Sequence, residues 1–299
     1  MKLTHSFCRI TSDAPSSGCH DGAMPAPFRS RVKTTAAAAM GLLTAAGLMT
    51  GCTETEPESP ETSADALSVT VVRTLPHDRT SFTQGLEISD GELYESTGRN
   101  GTSYVRVSDL DTGDILRQVD LSSSYFGEGI TVTDSTAWQI TWQDGVAFAR
   151  DPQTLAERAR VDYDGEGWGL CEAPTDGSSR LIMSDGSSTL TFRDPATFDA
   201  TGEVSVTRDG NPLSNLNELE CAEDGSVYAN VWKTFDIARI DPHTGAVTAT
   251  IDARPLWDAM TDEERAGADV LNGIAQIPGT DRFLVTGKLW PTMYEVEFT

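Results

Sequence analysis

The chain has 299 residues, of which 38% are hydrophobic and 23% charged, an ordinary composition for a protein with a buried core. Its 46 acidic and 22 basic residues give a formal net charge of -24. This charge repels phosphate, so it argues against nucleic-acid binding and against docking on anionic lipid through a basic patch. The four histidines leave little material for a histidine-rich metal site.

The N-terminal region carries the features of an export signal. A basic cluster that ends at Lys33 precedes a small, apolar stretch at 34–50, which leads to Cys52. This order resembles a bacterial lipoprotein signal and predicts a signal peptide over 1–51 with lipidation of Cys52. Met49 stands where leucine is usual, three places before that cysteine. A single transmembrane anchor or an uncleaved signal is the alternative interpretation.

A segment rich in Glu, Pro, Ser and Thr follows, which predicts a flexible tether over 52–66 and a single domain over 67–299. We expect a monomer outside the cytoplasm, attached to the membrane only through its lipid. Because the polar leader before Met24 fits no signal, Met24 is an alternative start.

A repeated pattern runs through the domain: a polar or aromatic opening, a Gly or Glu, an apolar strand, a turn and a second strand. The aligned apolar residues lie 44, 40, 49 and 55 residues apart. They are Leu86, Ile130, Leu170, Leu219 and Ile274. The second strands are predicted at 92–96, 137–141, 181–184, 227–232 and 283–287.

Hairpins complete the repeat. Alternating apolar strands flank Asp/Thr/Gly turns at 111–113 and 241–245, and two strands plus a hairpin make a four-stranded blade. The last repeat ends with a third strand at 294–298, and residues 68–73 can supply its fourth strand and close the ring. The predicted fold is all-β, a five-bladed β-propeller whose N-terminal strand completes the last blade. An irregular β-sandwich is the alternative, but it does not predict this spacing.

Unusual polar and aromatic residues collect at the openings of the repeats. In a propeller the first strand of each blade lines the central channel, so these side chains should meet at one mouth. Packing repeats would converge on similar residues, whereas these differ between repeats, as a binding or catalytic site requires. The set is Gln84, Glu128, Trp168, Asn217, Glu218 and Asn272, with Trp142, Trp232 and Lys288 at strand ends.

The ordered motifs resemble those of glutaminyl-peptide cyclotransferases of the plant and bacterial type. They include Phe-Thr-Gln-Gly-Leu at 82–86, Phe-Gly-Glu-Gly at 126–129, Gly-Trp-Gly-Leu at 167–170, Leu-Asn-Glu-Leu-Glu at 216–220 and Thr-Gly-Lys-Leu-Trp-Pro at 286–291. The likeness covers roughly residues 68–298. It implies a five-bladed propeller enzyme that uses no metal or other cofactor. Such enzymes convert the N-terminal glutamine of peptides and proteins into pyroglutamate and release ammonia.

The resemblance also implies roles for individual residues. Glu128 would be the catalytic proton shuttle, because one carboxylate between two nitrogens can take a proton from the α-amine and deliver one to the leaving ammonia. Asn217 and Lys288 would act beside it, and Gln84, Asn217 or Lys288 could donate hydrogen bonds to the developing oxyanion. The substrate-binding residues would be Gln84, Phe82, Phe126, Trp142, Trp168 and Trp232. Glu166 is a small departure, since aspartate is also common there.

Two other classes of function remain open. A non-catalytic, surface-anchored propeller could bind peptides or cell-wall components through the same mouth, although this leaves the combination of Glu, Gln, Asn and Lys unexplained. A structural or assembly role would use the propeller faces as docking surfaces.

Cys171 and Cys221 follow two of the motif strands and occupy the same rung of the innermost strands of adjacent blades. Neighbouring blades splay least near the axis, and export leads to an oxidising compartment, so we predict a disulfide between them. Two buried free cysteines are the alternative.

Overall fold

The computed structural model describes residues 63–175 and 177–299. The predicted signal peptide, the lipidated Cys52 and the tether up to residue 62 lie outside the described residues. The first strand, β1 (Asp65–Pro76), begins inside the predicted tether, at its last two residues, Asp65 and Ala66. Within the described part of the chain, no helix has the length and apolar character needed to cross a membrane.

Three antiparallel sheets of four strands follow β1, and each keeps its strands in chain order. The first contains β2 (Thr83–Ser89), β3 (Glu92–Thr97), β4 (Tyr104–Asp109) and β5 (Ile115–Asp120). The second contains β6 (Gly127–Val132), β7 (Ala137–Thr141), β8 (Val146–Arg150) and β9 (Glu157–Asp162). The third contains β10 (Leu170–Thr175), β11 (Ser178–Met183), β12 (Thr189–Arg193) and β13 (Ala200–Ser205).

The rest of the chain adds a small hairpin, two larger groups of strands and two short helices. A small hairpin comes first, made of β14 (Thr207–Arg208) and β15 (Asn211–Pro212). It is followed by β16 (Leu216–Cys221), β17 (Val227–Val231), β18 (Asp236–Ile240) and β19 (Val247–Asp252). The helices α1 (Arg254–Ala259) and α2 (Asp262–Arg265) precede β20 (Leu271–Gln276), β21 (Arg282–Gly287) and β22 (Thr292–Phe298).

β1 joins the two ends of the domain. It pairs antiparallel with β22, with Val69 opposite Phe298 and Pro76 opposite Thr292, as the sequence predicted for residues 68–73. Its first residues also pair in parallel with β19, with Asp65 opposite Ala249, which the sequence did not predict. The two last groups therefore form one eight-stranded sheet in the order β16-β17-β18-β19-β1-β22-β21-β20.

The innermost strands account for the motif pattern. β2, β6, β10, β16 and β20 contact one another in that cyclic order, so the arrangement is propeller-like. β6 and β20 are buried almost throughout, whereas the outermost β9 and β13 are largely exposed and polar. An inner strand packs against neighbours on both faces, which selects apolar residues and glycine. The all-β prediction is confirmed.

The inner strands approach so closely that side chains are excluded at one repeated position. A Cβ added at Gly85 would lie 2.6 Å from the backbone N of Ile130, and one at Gly169 would lie 2.2 Å from the carbonyl O of Asn217. Only glycine fits such contacts between backbones. These glycines of the motifs therefore serve packing between the inner strands.

The predicted disulfide is present. Cys171 in β10 and Cys221 in β16 are bonded, and their Cα atoms lie 5.4 Å apart. Both strands are innermost, so the bond joins two neighbouring four-stranded groups near their common centre.

Candidate functional site

A pocket of about 260 Å³ opens on the face where the inner strands begin. Its lining includes all nine residues that the sequence predicted for catalysis and substrate binding. The lining residues are Phe82, Gln84, Phe126, Glu128, Trp142, Trp168, Asn217, Trp232, Asp269, Val270 and Lys288. Asp269 and Val270 were not predicted, although they immediately precede β20, just as Phe82 precedes β2.

Antiparallel pairing explains why residues so far apart in sequence meet here. The start of each innermost strand lies beside the end of the second strand in its group. Gly127 pairs with Thr141, which brings Glu128 near Trp142. In the same way Leu271 pairs with Gly287, and Lys288 is the next residue along the chain. Strand starts and strand ends therefore converge on one mouth.

Glu128 is the buried carboxylate of the pocket, with 4% of its surface exposed. Gln84 Nε2 donates a hydrogen bond of 2.9 Å to Glu128 Oε1. The Gln84 amide is itself oriented, because Asn272 Nδ2 donates to Gln84 Oε1 at 3.3 Å and to the carbonyl O of Thr83 at 3.0 Å. One neutral donor thus faces the carboxylate.

The pKa of Glu128 is raised well above its ordinary value. Burial is the largest cause, the Glu166 carboxylate adds to it, and the Lys288 ammonium opposes it. Burial also lowers the pKa of Lys288, against the opposing charges of Glu128 and Asp269. A raised pKa brings this carboxyl group closer to the pKa of an amine, which favours proton exchange between them.

Two further polar side chains of the pocket form no hydrogen bond within the described chain. No described residue forms a hydrogen bond with the Asn217 side-chain amide or with Lys288 Nζ, although both residues are at most 5% exposed. The Lys288 ammonium lies 4.9 Å from the centre of the Phe82 ring. Both groups can therefore donate to a ligand in the pocket.

Aromatic rings form the wall. Phe82 and Phe126 meet edge to face at 6.2 Å, and Phe126 contacts Trp142 at 5.5 Å. On the other side Trp168 and Trp232 meet edge to face at 5.3 Å. These rings surround the polar groups and reduce the access of water to them.

Two residues of the predicted polar set lie outside the pocket lining. Glu218 is fully buried, and its carboxylate accepts hydrogen bonds from the backbone N–H groups of Leu86 and Ile274 at 3.1 and 2.8 Å. It occupies the position that Gly85 and its counterparts hold in the other inner strands, so its role is to link strands. Asn272 orients Gln84 from outside the pocket, as described above.

Among the described residues, no group of three or more His, Cys, Asp and Glu side chains is arranged to hold a metal ion. The groups that line the pocket can instead exchange protons, donate hydrogen bonds and enclose an organic substrate. These are the capacities of an acid–base enzyme.

Comparison with known proteins places the chain in a family. The sequence pattern of the glutamine cyclotransferase family matches residues 43–298, so the chain belongs to that family. The glutaminyl-peptide cyclotransferase of Arabidopsis thaliana is 38% identical over 231 residues, which cover 77% of this chain and 71% of that protein. The crystal structure of Myxococcus xanthus glutaminyl cyclase matches with a TM-score of 0.69 and 36% identity, and covers 79% of this chain and 98% of that one. The resemblance predicted from the motifs is confirmed.

Proposed function

We propose that this protein cyclises the N-terminal glutamine of peptides and proteins to pyroglutamate, with release of ammonia. The observation that carries the proposal is a single buried carboxylate, Glu128, enclosed with Asn217 and Lys288 by aromatic rings. Family membership supports it, since the relatives described above are named for this reaction.

The reaction needs one group that both accepts and donates a proton. The α-amine must be neutral when its nitrogen attacks the side-chain amide carbon, and the amide nitrogen must gain a proton before its bond to carbon breaks. In our proposal Glu128 takes the proton from the amine and returns it to the departing ammonia, so the enzyme ends as it began. Its raised pKa suits both halves of that cycle.

Asn217 and Lys288 are the proposed stabilisers of the oxyanion. When the amine attacks, negative charge develops on the amide oxygen, and donors that already point into the pocket stabilise it. If Lys288→Met and Asn217→Ala lower kcat, these residues act in the transition state, whereas a rise in KM alone would make them substrate anchors.

The aromatic wall is the proposed binding surface for the glutamine side chain. Trp142, Trp168 and Trp232 would hold that chain folded towards its own amine, which brings the reacting atoms together. By excluding water, they would also favour cyclisation over hydrolysis of the amide.

We further propose that the described strands form a five-bladed propeller closed by β1, and that the mature protein is a monomeric lipoprotein anchored at Cys52 outside the cytoplasm. The cyclic contacts among the inner strands and the pairing of β1 with β22 support the first part. The N-terminal sequence supports the second. Membrane association that survives Cys52→Ser, with processing still after Gly51, would overturn the anchor.

The test is turnover of a dipeptide that begins with glutamine, with chelator present and with the N-acetylated dipeptide as control. We expect equal amounts of ammonia and pyroglutamyl product from the free dipeptide and neither from the acetylated one, whose nitrogen cannot attack. Binding of the dipeptide without turnover would favour a binding module. Activity that the chelator abolishes would contradict a metal-independent reaction.

A further inference from the structure

The carboxylate of Glu166 holds two walls of the pocket together. Trp142 Nε1 donates to Glu166 Oε2 at 2.8 Å, and Trp168 Nε1 donates to the same oxygen at 3.1 Å. The other oxygen, Oε1, accepts from Gln143 Nε2 at 2.9 Å. Two indoles from different sheets therefore share one acceptor.

This arrangement makes Glu166 a support for the pocket rather than a ligand for the substrate. Glu166 does not line the cavity, and three donors already occupy its two oxygens. An indole has a single N–H group, so its acceptor sets the rotation of the ring. Hydrogen bonds to a charged acceptor are stronger than those to a neutral one.

The ring of Trp168 also packs against Gly186. A Cβ added at Gly186, whose φ is +81°, would lie 2.6 Å from the Trp168 ring. The backbone N–H of Gly129 donates to the carbonyl O of Trp168 at 2.9 Å. Trp168 therefore bonds to Glu166 through its indole and, through its backbone, to the residue that follows Glu128.

We propose that Glu166 is a positioning residue for the cyclisation, which fixes the Trp142 and Trp168 indoles around the glutamine side chain. This inference rests on the proposed function, and it assigns a task to a residue that touches neither substrate nor reacting atoms.

The negative charge of Glu166 also acts on Glu128, and we call this the charge effect. Gln143, Trp168 and Trp142 lower the pKa of Glu166, so this group is an anion at neutral pH. Its negative charge contributes to the raised pKa of Glu128, in addition to burial. The Lys288 ammonium opposes the effect of Glu166 on Glu128. Burial raises the pKa of the nearby Tyr163 to about 12, so this phenol adds no charge at neutral pH.

Two substitutions separate geometry from charge. Glu166→Gln keeps an amide oxygen for the two indoles, and its new N–H₂ group is satisfied when the exposed Gln143 amide turns its own oxygen towards it. Glu166→Ala removes both the acceptor and the charge. Glu203→Gln is the matched control, because it removes one carboxylate from the exposed outer strand β13, which belongs to the same sheet as β10.

The readouts are tryptophan fluorescence, kcat and KM for a Gln-initiated dipeptide, and the pH profile of kcat/KM. For Glu166→Ala we expect a changed emission spectrum and a KM raised about tenfold, since two bonds to a charged acceptor are lost. Glu166→Gln should restore the spectrum and KM, while the acidic limb of its profile moves to lower pH. Glu203→Gln should match the wild type in every readout.

Wild-type fluorescence and KM in Glu166→Ala would overturn the positioning role. An unmoved acidic limb in Glu166→Gln would overturn the charge effect. If the wild type itself does not turn over the dipeptide, the proposed function fails, and the fluorescence of the two variants still decides whether Glu166 holds the indoles.

Discussion

Two glutamates of this protein are equally buried and have opposite properties. Glu95 lies in β3 and Glu128 in β6, with exposed fractions of 5% and 4%. Glu95 accepts hydrogen bonds from His77 Nε2 at 3.0 Å, Thr83 Oγ1 at 2.8 Å and Ser81 Oγ at 3.2 Å. Among the described residues, Glu128 accepts one, from Gln84.

This difference in partners decides the direction of each pKa. Burial opposes ionisation of Glu95, but the His77 charge and the hydrogen bonds lower its pKa below the ordinary value. For Glu128 burial prevails, and the pKa is raised. Burial alone therefore does not raise the pKa of a carboxyl group. The pKa rises at Glu128 because too few hydrogen bonds and opposite charges offset the burial.

The Glu95 network has a structural task. His77 Nδ1 faces the carbonyl O of Trp290 at 2.7 Å and Nε2 faces the Glu95 carboxylate, so a protonated imidazole donates from both ring nitrogens. This pair ties the segment after β1 to the first sheet and to the loop that follows Lys288. It thus holds these three parts of the chain together beside the pocket.

The largest expected effect is a loss of activity on substitution of Glu128, the carboxylate with few hydrogen-bond partners. Glu128→Gln keeps the shape of the side chain and removes the proton shuttle, so we expect kcat to fall about 10²–10⁴-fold. Steady-state assays on a Gln-initiated dipeptide measure this, with far-ultraviolet circular dichroism to verify folding. A folded Glu128→Gln protein with kcat near the wild-type value would exclude the shuttle role.

The same substitution should lower the free energy of unfolding at Glu95 but not at Glu128. Glu95→Gln leaves the buried His77 charge without its partner, and we expect the free energy of unfolding to fall by about 3–5 kcal/mol. At pH 8 Glu128→Gln removes a carboxylate whose ionised form the fold disfavours, so its stability should equal or exceed that of the wild type. Urea unfolding measures both, at pH 6 for Glu95→Gln, where His77 is charged, and at pH 8 for Glu128→Gln. Equal losses in the two variants would contradict the comparison.

The disulfide is a covalent link between strands, in contrast to the ionic link between His77 and Glu95. The disulfide between Cys171 and Cys221 spans a sequence separation of 50, for which loop-closure entropy gives at most about 4 kcal/mol. Replacing both cysteines by serine should lower the free energy of unfolding by up to that amount and leave kcat unchanged. A large loss of kcat in the folded variant would show that the bond shapes the pocket.

The smallest expected effect is the pH dependence of the stability that His77 contributes. Burial would lower the pKa of His77, but the charge and hydrogen bond of Glu95 and the carbonyl of Trp290 raise it above its ordinary value of 6.5. The stability that this pair contributes is complete below pH 6.5 and is lost as pH rises through the raised pKa. The difference in unfolding free energy between wild type and His77→Gln should therefore shrink from pH 6 towards higher pH. A constant difference would mean that His77 is not charged in the fold.

Much of the fold and of the pocket is readable from the sequence. Repeated openings such as those before Leu86 and Ile130 record the close approach of inner strands, where only glycine and apolar residues fit. Polar residues that break this repetition, such as Glu128 and Asn217, stood out for that reason. The prediction placed them together because the first strands of all repeats share one end.

Other features carry no such periodic signal. The parallel pairing of β1 with β19 depends on where a long strand runs in space. The partners of Glu95 are spread from His77 to Trp290 in sequence and meet only after closure. Glu166 looks like an ordinary acidic residue in a loop until the two indoles are seen to converge on it.

Titration of Glu128 itself decides whether burial prevails over compensation at this carboxylate. ¹³C NMR of protein labelled at glutamate carboxyl groups, compared with Glu128→Gln, identifies the Glu128 signal by its loss. We expect Glu128 to titrate well above the ordinary pH range of glutamate. Glu95, identified by the signal lost in Glu95→Gln, should titrate below that range. A Glu128 carboxylate that titrates at or below the ordinary value would contradict the account.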